Sequence, residues 1–574
     1  MPNAILIFTF SPVQSFIGEA RRAGDLYAGS KILSRLANAA GRSIGEANLV
    51  YPSTLNADDT PNKLVARVSF DEAKAIAERA KEALLKEWQD IVDDAMKELS
   101  NYQPVPDETW KTIWKRQSEY FWEIYWVAQR LNGDYKAAFK AASDALDAVK
   151  RTRAFEQAEE DGLKDTLSGR RSALRVAGMD AKAYWKDISK SKHLNPSQLR
   201  PDGKERLDTL GAVKRFCKIA HAENFASVSM IATKEYVGKA TGALAFPPFR
   251  TAIERLLHDK IYRVSDDKLW PYDGDLFFIE TLTQERLKDS YDLDKSDANL
   301  LRQAQETLKA LHKEVGKPSP YYALLQLDGD SMGEKISECE SDEQHRTFSE
   351  QLAKFAEQVK RIVQEHYGEL IYNGGDDVLT LAPLSQALPL AKKLADTFRE
   401  EVKHPNDKEK NCTASVGIAI AHHLYPLDAA LAAARGAERR AKEEVEGKNA
   451  VCVRVLKRSG ETFDARSPWT AMGDVFAEIV NLFDDKGTGA SALSSRFAYD
   501  VVRSAYALPD ADARLQSELK RLLKRHRNSK DPNAPDVEEW AKKLKEWAEK
   551  LPDHADELGK WLVLARFVAQ GGGE

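Results

Sequence analysis

Apolar and polar positions along this chain follow two rhythms, one of period two and one of period 3.6, and the switches between them outline the elements. Residues 4–10, Ala-Ile-Leu-Ile-Phe-Thr-Phe, form a short apolar run that predicts a buried strand. Ser11-Pro12 then predicts a helix start, with the serine as cap and the proline in the first turn, and helical sequence continues to about Ala47. Two β-like pieces follow at 48–51 and 63–69, and Asp71 predicts the cap of a helix over 72–99. The order β-α-β-β-α predicts a small α/β sandwich. Residues 104–189 read as almost wholly helical. Trp110, Trp114 and Trp122 fall at helical spacings with Trp126 just beyond, a pattern of inward-packing aromatics rather than a base-stacking platform. Residues 190–317 are mixed, with one short strand predicted at 276–280.

After Lys317-Pro318 a second pattern of the same kind begins. A strand is predicted over 321–327, an amphipathic helix over 343–366, and a hairpin of strands 369–372 and 377–381 around Asn373-Gly374-Gly375-Asp376. A helix over 385–402, a strand over 412–421, a helix over 427–445 and a strand over 450–456 complete it. Beyond Ser467-Pro468 the sequence is helical. The predicted fold class is α+β and multidomain: two ferredoxin-like sandwiches with helical insertions and a C-terminal helical bundle. The boundaries drawn from the pattern are 1–103, 104–317, 318–460 and 461–574.

Composition narrows the class. With 43% hydrophobic and 30% charged residues, the chain reads as an ordinary globular protein, and no apolar stretch approaches membrane-spanning length. Its 85 basic and 90 acidic side chains nearly cancel, so contact with nucleic acid requires a local patch. Such a patch is Lys520 to Arg527 (Lys-Arg-Leu-Leu-Lys-Arg-His-Arg), which also reads as a solvated helix face. Cys217, Cys339, Cys412 and Cys452 are far apart and form no C-x-x-C pair, so neither a zinc site nor a disulfide framework is expected and a reducing cytoplasm is.

The chemistry concentrates in the second sandwich. Leu327-Asp328-Gly329-Asp330 places carboxylates at the exit of a buried strand, and Gly374-Gly375-Asp376-Asp377 places two more at a tight turn. In a β-α-β-β arrangement those two strands are neighbours, so Asp328, Asp376 and Asp377 are expected to converge. Converging carboxylates repel unless a cation lies between them, and Mg2+ or Mn2+ suits hard oxygen ligands while leaving positions for phosphate oxygens. Gly374 and Gly375 are expected to supply left-handed turn dihedrals and a close backbone approach for a nucleotide. Gly329, Ser331, Met332 and Gly333 follow the first acidic strand, where backbone N–H groups can cradle phosphates. A plain hairpin turn accounts for Gly374-Gly375 alone and leaves Asp328 without a reason. Asp273-Gly274-Asp275 precedes its apolar run instead of following it, and reads as a turn.

These residues resemble the large subunit of type III CRISPR effector complexes, Cmr subtype. The resemblance rests on Leu327 to Gly333, on Gly374 to Asp377, on Ser11 to Ile17 with Asp25-Leu26-Tyr27-Ala28-Gly29-Ser30, on Tyr51-Pro52 and Pro61-Asn62-Lys63, and on Ala414 to Ala419 with Ala441-Lys442. It implies palm/cyclase-type sandwiches and an enzyme that joins ATP into cyclic oligoadenylates when its complex binds target RNA. Asp328, Asp376 and Asp377 are then the catalytic, metal-holding residues. Lys442 is expected to meet phosphates or, equally, solvent, and Asp25, Ser30 and Lys31 to touch a second ATP. Implied partners are a backbone or tag-binding subunit, small helical subunits, guide RNA and target RNA, with no membrane. The HD nuclease domain and the zinc-binding cysteine cluster common in the family are not expected, and His258-Asp259 reads as structural. Three alternatives stay open: joining AMP to S-adenosylmethionine at the same site, a silent scaffold, and a diguanylate cyclase-like enzyme. Against the last, the hairpin continues Asp377-Val378-Leu379.

Overall fold

The computed structural model describes residues 3–572 except 57, 104–105, 153–159, 192–193, 195–197, 222–224, 265–266, 294–296, 486–490 and 508–510. The first sheet is built from β1 (Asn3–Ser11), β2 (Leu49–Tyr51), β3 (Lys63–Ser69) and β4 (Glu123–Arg130), in the order β2-β3-β1-β4 with every pairing antiparallel. Helices Ala23–Ile44 and Ala73–Leu99 complete a β-α-β-β-α-β unit of ferredoxin-like order. β4 lies inside the stretch expected to be helical and beyond the boundary drawn at 103. Its residues 124–129 are only half-buried, so the apolar signal of a covered strand is weak there. Trp126 consequently sits on a strand opposite Phe8, whereas Trp110 and Trp114 do share a helix, Glu108–Glu119, with stacked rings 4.8 Å apart.

The starts of the first helices also depart from expectation. Ser11 ends β1 and caps nothing; a short helix begins at Gln14, and the long one begins at Ala23, capped by Asp25 accepting from the Arg21 and Arg22 amides (2.9 and 3.0 Å). Asp71 is not the cap of Ala73–Leu99 either, since Glu72 occupies that position without a side-chain bond. The strand expected at 276–280 is a 3-10 turn, Gly274–Phe277, in which Asp273 accepts from the Asp275 amide.

The second sheet has six strands, ordered β12-β11-β10-β5-β7-β6: β5 (Tyr321–Gly329), β6 (Glu369–Asn373), β7 (Asp377–Pro383), β10 (Ala414–His422), β11 (Ala450–Leu456) and β12 (Thr462–Pro468). A two-stranded ribbon, β8 (Lys403–His404) and β9 (Asp407–Asn411), interrupts it. β10-β5-β7-β6 repeats the ferredoxin-like order, and helix Leu427–Glu443 returns the chain from β10 to a parallel β11. β12 extends the sheet past the boundary drawn at 460.

Strand alternation divides the cores. Leu325 and Leu327 of β5 join the core formed with helices Asp342–Glu365 and Ala387–Glu401 and the C-terminal helices. Tyr322 and Leu324 lie on the opposite face, in a core shared with the first sandwich and with Leu427, Ala430 and Leu431. The two sandwiches are thus joined by one continuous apolar core, and any polar side chain on the even face of β5 lies in the cleft between them. No helix among the described residues is long and apolar enough to cross a membrane.

Candidate active site between the sandwiches

Asp328 is such a residue. It lies at the end of β5, directly opposite Asp377 in the β5–β7 register, and the Gly329 amide donates to the Asp376 carbonyl (2.8 Å). The hairpin closes with the Gly374 amide donating to the Asp377 carbonyl (2.8 Å). Only Gly375 takes the left-handed conformation, at φ +96°. The expectation of left-handed dihedrals at both glycines therefore fails at Gly374, whose requirement is spatial: a Cβ there would run into the Tyr372 phenol.

Helix Leu427–Glu443 supplies the basic wall. It presses against β10 at Gly417, where a Cβ would stand 2.6 Å from the Glu438 Cα. This approach brings Lys442 into an ion pair with the Asp328 carboxylate, with its ammonium donating to the Gly329 carbonyl (3.2 Å) and lying 3.3 Å from Glu438. Lys442 therefore faces the site and not solvent. Arg435, two turns earlier, donates to the Gln14 carbonyl (3.4 Å) and so ties this helix to the first sandwich.

Burial decides the electrostatics. It pushes Asp377 up to about 7, with Asp376 and Glu438 adding and Arg435 and the Gln326 amide opposing. Asp376 is shifted up for the same reason, and Glu438 is pushed to about 7 by burial and by Asp330. Burial and Lys448 draw Lys442 down to about 8, while its contact with Asp328 works in the opposite sense.

The carboxylates suit a hard divalent cation in one respect and not in another. Among the described residues no three His, Cys, Asp or Glu side chains are gathered as a metal site. Asp328 is taken by Lys442, and Asp377 accepts from the Gln326 side-chain amide. Yet Asp376 and Asp377 are oxygen donors side by side, with no ammonium or guanidinium within ion-pair distance among the described residues, and Lys63 and Arg435 act on them only from farther off.

The other expected residues separate into groups. Asp330 is buried, accepting from Thr413 (2.7 Å), Ser415 (2.8 Å) and the Asn449 amide (3.0 Å), which makes it a strut between β5, β10 and β11. Ser331 is left-handed (φ 54°) and its hydroxyl accepts from Lys448 (2.7 Å); Met332 is buried against Gly329; Gly333 faces open space. In the first sandwich, Asp25 is buried and engaged by Arg215 (2.8 and 3.0 Å) and two backbone amides, and Ser30 is buried. Asp25 presents no free oxygen to a nucleotide, because it holds the helix start and Arg215, and the Ser30 side chain is closed off by burial. Lys31 pairs with Asp58 (3.3 Å) beside the Tyr27 ring.

Gln326, Arg435 and Glu438 escaped the sequence reading, although spacing could have found them. Gln326 is two residues before Asp328 on one strand face, and Glu438 and Arg435 precede Lys442 by one and two helical turns.

Family models for the second palm domain of Cas10/Cmr2 and for the N-terminal region of CRISPR-associated protein Cmr2 match residues 321–452 and 5–93. Both matched segments are similar to regions of the Cas10/Cmr2 family. Cmr2 of the CRISPR system of Pyrococcus furiosus is 26% identical to it, over 91% of this chain and 69% of that one. Among solved structures, type III-B Cmr-beta in its apo state, seen by cryo-electron microscopy, contains a chain similar in fold, with TM-score 0.67 and 13% identity over 100% of this chain and 82% of that one. The same assembly bound to cognate target RNA gives TM-score 0.63 and 12% identity over 94% and 80%. The palm match contains Asp328, Asp376, Asp377, Glu438 and Lys442, and the N-terminal match contains first-sandwich residues that pack across the cleft.

Proposed function

We propose that this chain is a nucleotidyltransferase of the Cas10/Cmr2 type that joins ATP into cyclic oligoadenylates, by attack of a 3′-hydroxyl on an α-phosphate, within an RNA-guided type III effector complex. The observation that carries the reading is the pairing of Asp328 with Asp377, beside Asp376, at the cleft end of two adjacent strands, with no ion pair to either hairpin carboxylate among the described residues. Asp328, Asp376 and Asp377 are the residues that would hold Mg2+ or Mn2+. Such an ion supplies activation of the hydroxyl and charge neutralisation on the triphosphate. The chain's own residues set the geometry. Gln326 fixes the orientation of Asp377 through its amide. Lys442 must release Asp328 before that carboxylate can ligate, and its freed ammonium then stands where a phosphate oxygen can accept from it. Gly374 and Gly375 keep the turn bare of side chains, so a nucleotide can approach the backbone. The similarity to Cmr2 and to Cmr-beta, the latter seen bound to cognate target RNA, supports a place in a multi-subunit complex that meets target RNA; backbone and small helical subunits and guide RNA are the further partners of this reading.

The Lys442–Asp328 contact favours one second reading, a silent scaffold in which the ammonium permanently takes the cation's place. Mass spectrometry of products from the reconstituted complex with target RNA, ATP and magnesium separates the two. Oligoadenylates are expected from the native chain. The D376A/D377A double variant is expected to assemble and yield none. Equal product from that variant refutes the site, and no product from the native complex supports the scaffold.

A further inference from the structure

A second polar cavity, of about 190 Å3, lies where the first sandwich, the inserted helices and the far end of β10 meet. It is remote from the carboxylates. β10 starts at Ala414 beside Gly329 and ends at His422, so at ~3.3 Å per residue the cavity wall at His423 is roughly 26 Å from Asp328.

Its walls carry six arginine and lysine side chains against three aspartates. Half of those cations are satisfied within the protein. Arg215 pairs with Asp25 (2.8 Å) and Glu205 (2.9 Å), Arg22 pairs with Glu205, and the Lys214 ammonium donates to the carbonyls of Phe16 and Glu19. The three aspartates are occupied too: Asp25 by Arg215, Asp273 by the hydroxyls of Ser227 (3.2 Å) and Ser229 (2.5 Å), and Asp275 by His423 (3.2 Å). What remains is Arg21, Arg200 and Arg286, drawn from three different segments. Among the described residues none of their guanidinium groups has an ion-pair partner.

Arg21, Arg200 and Arg286 all line this one concavity, and six cations against Asp25, Asp273, Asp275 and the paired Glu205 leave its wall net positive, although Arg200 and Arg286 also act on Asp275. Their planar forks match the oxygens of a phosphate group, which a lone ammonium does not. The cavity leaves ample room for one or two phosphate groups. We propose that this cavity is a binding site for a small phosphate-class oxyanion, orthophosphate or pyrophosphate. The proposal stands independently of the transferase reading, because it concerns other residues and is tested by binding.

Isothermal titration of the full chain, with EDTA present so that metal-dependent binding at Asp328, Asp376 and Asp377 is silent, uses orthophosphate, pyrophosphate and AMP as separate probes. Binding of one inorganic anion with a submillimolar Kd is expected, and whichever binds tighter identifies the source. The double variant R200Q/R286Q is expected to weaken it at least tenfold with only a small fall in the thermal midpoint, since both side chains act on the buried Asp275 carboxylate through space and not in an ion pair. A second variant, S290E, puts a negative charge at the cavity wall and is expected to weaken it as strongly. No binding of either anion, binding unchanged in both variants, or AMP binding tighter than both anions overturns the proposal.

Discussion

Gly417→Ala tests whether the closeness of helix Leu427–Glu443 to β10 is what makes the site. The added methyl group would overlap the Glu438 amide and the Ala434 carbonyl and stand 2.6 Å from the Glu438 Cα. Non-bonded carbons prefer about 3.5–4.0 Å, so the helix must retreat by roughly 1 Å. The obstructing atoms are backbone, which cannot rotate aside, and overpacking of this kind costs about 1–3 kcal/mol. The same retreat carries Glu438 and Lys442 away from Asp328 and Gly329. A misplacement of about 1 Å in a catalytic constellation lowers rate on the order of 100-fold. The expected outcome is a folded, complex-forming chain with a lower thermal midpoint and about 100-fold less oligoadenylate by mass spectrometry. Gly436→Ala is the control on the same helix: there the new methyl meets only the tip of Arg454 at 3.1 Å, a flexible side chain that can move, so near-native stability and product are expected. A Gly417→Ala chain as stable and as active as the native one would refute the claim that this contact positions Lys442.

Two other predictions concern stability. His345 is buried, its Nδ1 is 2.8 Å from the Tyr135 hydroxyl, and burial, with Lys63 adding, pulls its pKa down to about 3. Below pH 6.5 the unfolded chain therefore binds a proton that the folded chain refuses, so stability falls as pH drops through the window from 6.5 to about 3. At pH 5 the loss is about 2 kcal/mol from this group. His345→Gln is expected to reduce the difference in stability between pH 7 and pH 5 by about that amount in chemical denaturation, and an unchanged difference contradicts the assignment. Asp330→Ala leaves two hydroxyls and one half-buried backbone amide without their acceptor and is expected to cost about 3 kcal/mol. Asp330→Asn, which keeps one acceptor oxygen, should cost less when the two are compared by thermal unfolding.

Local patterning was enough to place the two sandwiches and their chemistry-bearing ends. Apolar runs ending in Asp328 and turning at Gly374-Gly375 are local signals, and a β-α-β-β order leaves few ways to arrange the strands, so the neighbourhood of Asp328 and Asp377 was legible without coordinates. β4 and β12 were not, because both are flanking strands with partly exposed faces, and their identity depends on the partner that accepts their hydrogen bonds rather than on their own pattern. Tertiary structure also decided which charges are spent. Asp25 looks the same in sequence whether it meets a nucleotide or Arg215, and Arg215 lies 190 residues away. Lys442 looks like any lysine on a charged helix until Gly417 lets that helix close on the strand. Side-chain partnership is a long-range property: composition and spacing say which groups exist, and only packing says which of them are still free to act.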